Sequence, residues 1–188
     1  MKVISETRKA PEVERVASSD KARPVLSYVH LNVENGTLEA TDSHKAVVIP
    51  VEIEDGDTSG PIPPEALKAQ RKASKYGAAS LSANGGVSLT TPEGEQTWVR
   101  PDAGVFPNLA QVTAAEYSRF RICLNPKYLL ELAHALGNPE QVVVEFARPI
   151  DKVEGDDTGA FLNPLKPMRV TVPSGGDSYG ILMPILIP

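Results

Sequence analysis

Thr41-Asp42-Ser43-His44-Lys45 sets an acid, a hydroxyl and an imidazole side by side, the side-chain types of acyl-transfer chemistry. A triad is defined by geometry in space, and neighbouring side chains of an extended chain point to opposite faces. The run therefore reads as a polar strand end or turn, and an enzyme reading requires Asp42, Ser43 and His44 to converge. His30 and His134 have no partners at metal-ligand spacing, and Asp156-Asp157 lack the oxygen-ligand periodicity of a calcium loop. No glycine-rich phosphate loop is present. Cys123, the single cysteine, lies in the apolar run RICL and reads as buried rather than reactive. The expectation is a protein with no catalytic residue, no metal and no cofactor.

Two other groupings point to binding. Lys68, Arg71, Lys72 and Lys75 are spaced i, i+3, i+4, i+7, so a helix would gather all four cations on one face. Like charges on one face repel, and phosphate contacts would offset that repulsion without reading sequence. The alternative is an ordinary solvated face. The second grouping is the apolar tail Ile181-Leu182-Met183-Pro184-Ile185-Leu186-Ile187-Pro188. It is either buried or a partner-binding surface. Pro184 donates no ladder hydrogen bond, so a strand should leave its sheet there.

These residues need elements to hold them. Val29, Leu31 and Val33 alternate with polar neighbours, Asn35-Gly36 follows, and Leu38 and Ala40 resume the alternation, which predicts a hairpin. AASLSA, Asn84-Gly85-Gly86 and VSLTT repeat the pattern, and EQTWVR (95–100) reads as a further strand. Helices are expected near 8–19, from Pro63-Pro64 to Gly77, and from the Asn125 cap and Pro126 to Gly137. In the second, Ala66, Leu67, Ala69, Ala73 and Tyr76 are expected to pack inward. QVVVEF (141–146), MRVTV (168–172) and YGILMPIL (179–186) read as strands, and 148–166 as a long loop. A helix followed by strands thus recurs three times, a repeat of structure, with a break near 113–118.

The chain has 188 residues and a formal charge of -5. Residues 1–60 carry 7 Lys/Arg against 11 Asp/Glu, 61–120 carry 6 against 5, and 121–188 carry 6 against 8. Only the middle third is not acidic, and four of its six cations are the helical ones. An acidic total therefore coexists with a local basic face. The lack of an apolar signal-peptide core in MKVISETRKAPEVE, the lack of a membrane-length apolar run and the single cysteine suggest a soluble, cytoplasmic protein.

Several segments then fall together. ARPVLSYVHLNVENGTLEATDSHKAVVIPVEI resembles the second domain of the bacterial sliding clamp, the β subunit of DNA polymerase III, where an ATD-x-H-[RK] segment follows a hairpin. Pro61 through the basic helix to FPNLAQV (106–112) resembles the rest of that domain. RFRICLNPKYLLELAHAL is similar to the last helix of the clamp's third domain, with its Asn-x-x-Tyr pattern, and GGDSYGILMPIL to its Met-Pro tail. The resemblance runs from 22 to 187, and 148–166 matches poorly.

It implies an α+β fold of repeated βαβββ half-domains. Residues 1–112 would be a complete clamp domain and 113–188 a partial one. Helices would line a hole occupied by double-stranded DNA, with Lys68, Arg71, Lys72 and Lys75 on its phosphates. A groove between the second and third domains would take peptides of polymerases or clamp loaders. Matched residue by residue, its walls are Leu26, Thr41, Ser43, His44, Lys45, Ala46, Pro107, Val112, Asn125, Tyr128, Ile181, Leu182, Met183, Pro184 and Ile185. The sequence departs from the family where Lys45 replaces the more usual Arg and Leu186 a basic residue. The clamp's first domain and the first half of its third have no counterpart. Three half-units leave open strand edges, so ring closure would need an oligomer; four chains supply the family's twelve half-units. Two functions are then expected: a processivity factor that encircles DNA and tethers partners, or a non-encircling clamp-fold adaptor that keeps the peptide groove.

Overall fold

A computed structural model describes residues 1–3, 10–20, 22–76, 79–111, 123–146, 167–173 and 177–185. The expected 148–166 loop and Val112 lie outside them. The chain divides into two compact units, Met1–Thr113 and Ala114–Pro188.

In the first unit, β1 (Lys2–Val3), β2 (Val29–Asn32), β3 (Thr37–Thr41), β4 (Ala46–Glu52) and β5 (Gly60–Ile62) form an antiparallel sheet in the order β1-β4-β3-β2-β5. The β2–β3 hairpin turns at Asn35-Gly36, where Gly36 takes φ 61°, a left-handed conformation that glycine adopts without steric cost. Its register sets Leu31 opposite Leu38 and Leu38 opposite Ile49. That pairing sends alternate residues inward, and Val29, Leu31, Leu38 and Ala40 are all fully buried.

Helix α1 (Pro64–Ala73) follows β5 and precedes β6 (Ser80–Ser82), β7 (Val87–Thr91) and β8 (Gly94–Trp98), a three-stranded antiparallel sheet in the order β6-β7-β8. Proline in the first turn starts α1 with φ already helical. Its Ala66 and Leu67 join Leu81, Val87 and Leu89 in the core that also holds Leu31 and Leu38. Gly60 through Trp98 is thus one βαβββ run.

Two expectations fail here. The helix near 8–19 is, among the described residues, only a 3-10 turn at Val13–Arg15. Pro11 has no N–H to give, and Ser18 N–H donates to Leu26 O at 2.7 Å, a tertiary bond in place of a helical one. Tyr76 does not pack inward: it is 86% exposed. The α-helix ends at Ala73, and Tyr76 N–H bonds Ala73 O in a tighter turn, so the 3.6-residue period no longer sets its direction.

In the second unit, Cys123 pairs with Ile185 in an isolated antiparallel bridge. Helix α2 (Pro126–Ala135) follows, then β9 (Val143–Glu145), β10 (Met168–Thr171) and β11 (Gly180–Leu182), ordered β11-β10-β9. Met168, Val170 and Leu182 are buried beneath Leu129, Leu132 and Leu136 of the helix and its C-terminal end. A Cβ on Gly180 would come within 2.8 Å of Leu132 Cδ2, so helix and strand approach closely there and any larger residue would force the Leu132 side chain to shift. As Pro184 demands, β11 ends before it, and the chain rejoins Cys123 only at Ile185.

Candidate functional site

The four cations, three on α1 and Lys75 in the turn just after it, separate into two kinds. Lys68, Lys72 and Lys75 are exposed and make no ion pair with any described residue. Arg71 turns back onto the fold. Its Nη1 donates to Glu14 Oε2 at 3.0 Å and to Pro11 O at 3.4 Å, and its Nη2 donates to Glu14 Oε1. Burial raises the pKa of the Glu14 carboxyl, but the hydrogen bonds from Arg71 and its own backbone, together with the charges of Arg71 and Lys68, outweigh burial and leave it lowered. The hydrogen bond that Arg71 donates to Glu14 in turn raises the Arg71 pKa. A bidentate pair on a carboxylate that is 2% exposed is a structural contact, so the free basic face consists of three lysines.

The Thr41–Lys45 run is the loop of the β3–β4 hairpin, with Thr41 paired to Ala46. Asp42 Oδ1 accepts from the backbone N–H groups of His44 and Lys45, both at 2.9 Å, and Oδ2 accepts from Lys45 Nζ at 2.6 Å. The Lys45 hydrogen bond, followed by those two N–H bonds, holds the Asp42 carboxyl far below the usual carboxylate range. Thr41 Oγ1 donates to Lys45 O at 2.8 Å and accepts from Ser43 N–H at 3.1 Å. Ser43, at φ 80°, accepts from Arg23 Nη1 through its hydroxyl. Asp42 therefore serves the turn, and Ser43 serves Arg23. His44 and Lys45 are left exposed at the tip. The loop is closed by its own hydrogen bonds, and the Asp42 carboxylate is taken up by two backbone N–H groups and Lys45 Nζ.

The other residues of the first unit expected in a groove wall divide by burial. Leu26, on the 3-10 turn Pro24–Ser27, is 4% exposed, and Thr41 is buried; Ala46 and Pro107 are exposed. Leu26 and Thr41 therefore belong to the interior of the unit. Next to Pro107, Phe106 stacks on His30, with centroids 4.8 Å apart and planes 3° off parallel. Burial lowers the His30 pKa, Glu39 opposes that and Arg100 adds to it.

In the second unit Asn125 Oδ1 accepts from Lys127 N–H at 3.0 Å and so caps α2. Tyr128 on the first turn is 53% exposed. Along the tail Ile181, Met183 and Ile185 are 51%, 56% and 45% exposed, whereas Leu182 is buried in the core and Pro184 is half-buried. Strand alternation explains the split: Ile181 and Leu182 take opposite faces. Ile181 stands opposite Arg169, whose guanidinium lies 4.7 Å from the Tyr179 ring centroid and whose Nε is 3.7 Å from Glu145 Oε2. Spacing alone gave no sign of Arg23 on Ser43, of Arg169 on Tyr179, or of Tyr76 beside the lysines. Among the described residues no three His, Cys, Asp or Glu side chains could share a metal ion, and no helix is long and apolar enough to cross a membrane.

A helix leading into three antiparallel strands occurs twice among the described residues, each with its own core, and the chain has the α+β fold of bacterial sliding clamps. The Caulobacter crescentus beta sliding clamp superposes with a TM-score of 0.58 at 15% sequence identity, over 94% of this chain and 62% of that one. The β subunit of DNA polymerase from Streptococcus pyogenes gives 0.55 at 18%, over 93% and 62%. The DNA polymerase sliding clamp from Pseudomonas aeruginosa gives 0.54 at 15%, over 92% and 62%. The chain thus spans about 62% of the length of the clamps it matches. No family profile matches the sequence, and no curated protein matches it. At these identities the likeness is one of fold.

Proposed function

We propose that this chain is a clamp-type factor of DNA replication or repair, which contacts double-stranded DNA without reading sequence and tethers partner proteins. The observation that carries this reading is the set of three exposed lysines, Lys68 and Lys72 on α1 and Lys75 in the turn after it, that make no ion pair within 4 Å among the described residues, in a chain of net charge -5 with the sliding-clamp fold. Lysines on one face hold phosphates as point charges, and an otherwise acidic chain limits contact elsewhere. Arg71, spent on Glu14, supports the face only by fixing α1 in place.

Tethering is assigned to exposed residues that each unit presents on its own: Ser43, His44, Lys45 and Ala46 on the β3–β4 loop with Pro107, and Tyr128, Ile181, Met183 and Ile185 in the second unit. Apolar anchors with a few oriented polar groups suit a short peptide of a polymerase or clamp loader. In this reading the chain encircles DNA as a cytoplasmic homo-oligomer and performs no catalysis.

Fluorescence anisotropy with a random-sequence DNA duplex tests the DNA contact. Affinity should fall with salt at a log–log slope of about -3 per chain, one unit for each lysine. A Lys68→Gln/Lys72→Gln/Lys75→Gln variant should flatten that slope, and an unchanged slope would refute the assignment. Native mass measurement with and without DNA separates encirclement from the second reading, a monomeric adaptor. That adaptor would keep peptide binding through the same exposed Tyr128, Ile181 and Met183 and lose DNA.

A further inference from the structure

Tyr76 has no structural reason for its place. It is 86% exposed, and its ring and hydroxyl have no partner among the described residues. A tyrosine left in water forgoes the burial that repays its size. It follows Lys75 directly and comes four residues after Lys72. Lys68 and Lys72 are separated by about 6 Å along the α1 axis, and Lys75 and Tyr76 lie in the tighter turn that follows the helix, so exposed cations lead up to an exposed aromatic ring.

An occupant matching both chemistries must carry repeated anions and a flat apolar face beside them. Single-stranded nucleic acid does, because its bases are free to leave their own stack and lie on an aromatic side chain. A duplex offers the same phosphates but keeps its base faces covered by neighbouring base pairs, so the ring gains nothing there. We propose that Tyr76 is a stacking platform for an unpaired base, and that the α1 surface therefore favours single-stranded over duplex DNA. This rests on the assignment of Lys68, Lys72 and Lys75 to phosphates. It adds a specificity that the lysines alone do not have, suited to the boundary between duplex and single strand.

The test uses the full chain at low salt with three labelled probes: a 20-nucleotide oligo-dT, a 20-base-pair duplex, and a 20-unit abasic strand that carries phosphates without bases. Tyr76→Ala is expected to weaken oligo-dT binding about tenfold, the order of one lost base stack, and to leave the duplex within about twofold. Tyr76→Phe should retain the oligo-dT affinity, and the abasic strand should bind the natural chain about as weakly as oligo-dT binds Tyr76→Ala. Because the side chain is exposed, its loss should not shift the melting curve, which circular dichroism checks. Equal losses on oligo-dT and duplex, no loss on either, or abasic binding as tight as oligo-dT would overturn the stacking role. If only the triple lysine variant loses binding, the phosphate contact stands and the stacking falls. If the natural chain binds neither oligo-dT nor duplex, both fall.

Discussion

Helices α1 and α2 are each ten residues long, each begins on a proline, and each leads into three antiparallel strands, yet they present opposite chemistry. Helix α1 buries Ala66, Leu67 and Gln70 and turns Lys68 and Lys72 outward. Helix α2 buries no residue fully, leaves Tyr128 and Leu130 more than half exposed, and has Lys127 as its only lysine. The backbone plan is shared, and the difference lies entirely in which side chains the outer faces carry. One face suits an anionic polymer and the other an apolar partner. A common fold thus holds two kinds of surface, which is why fold alone does not assign function.

The sharpest contrast within the basic face is Arg71 against its lysine neighbours. Arg71→Ala should cost about 3 kcal/mol, since it leaves the Glu14 carboxylate buried without its partner. Urea denaturation of the full chain would show this as an earlier transition of the first unit. Glu14→Leu/Arg71→Met, which removes both charges, should recover most of the loss. If the single variant melts like the natural chain, Arg71 is free to serve the surface after all. The pair also sets an acid limit. The Glu14 carboxyl is more acidic folded than unfolded, so its contribution is present above the ordinary value of 4.5 and is lost as pH falls through the lower folded value. Glu14→Gln should flatten the acid side of the stability profile.

What the sequence disclosed follows the same division. Local rules found the elements: Asn35-Gly36 and Asn84-Gly85-Gly86 turned hairpins, and Pro64 and Pro126 began helices. Such signals act within a few residues of one another. The errors all involve distant partners or an altered period. Ser18 is drawn out of a helix by Leu26, Arg71 is claimed by Glu14 57 positions away, and Arg23 reaches Ser43 across 20. Leu182 was grouped with its exposed neighbours because an apolar run does not show which face is core. A helical period carried on to Tyr76 points it inward, but α1 ends at Ala73 and the turn that follows points it outward. Of the candidate site, therefore, the residue types were legible and their availability was not.

The second unit should respond most to its helix–strand contact. Gly180→Ala places a Cβ against Leu132, and the shift it forces should destabilise that unit by about 2 kcal/mol. Gly180→Ala/Leu132→Ala removes the clash at the cost of a cavity. It should therefore be less destabilised than the sum of its two single variants. Simple additivity would mean that Leu132 swings aside at no cost. Gly85→Ala in the first unit is the matching control: nothing lies within 4 Å of its Cβ position, and only its φ of 69° opposes alanine. About 1 kcal/mol is expected there.

The smallest stability effect should come from the residues given the largest functional role. Lys72→Gln changes an exposed side chain with no ion pair among the described residues, so unfolding should move by less than about 0.5 kcal/mol. Removing one of three like charges from a helix face should be neutral or slightly stabilising, because the repulsion between neighbours is relieved. Repeating the melt in high salt tests the cause: screening should erase any gain in the variant and leave the Arg71→Ala deficit largely intact, since a buried pair is screened far less than an exposed one. A marked loss of stability on Lys72→Gln would mean that the lysine, like Arg71, is held by the fold, and would leave α1 without the free cations on which its assignment to DNA depends.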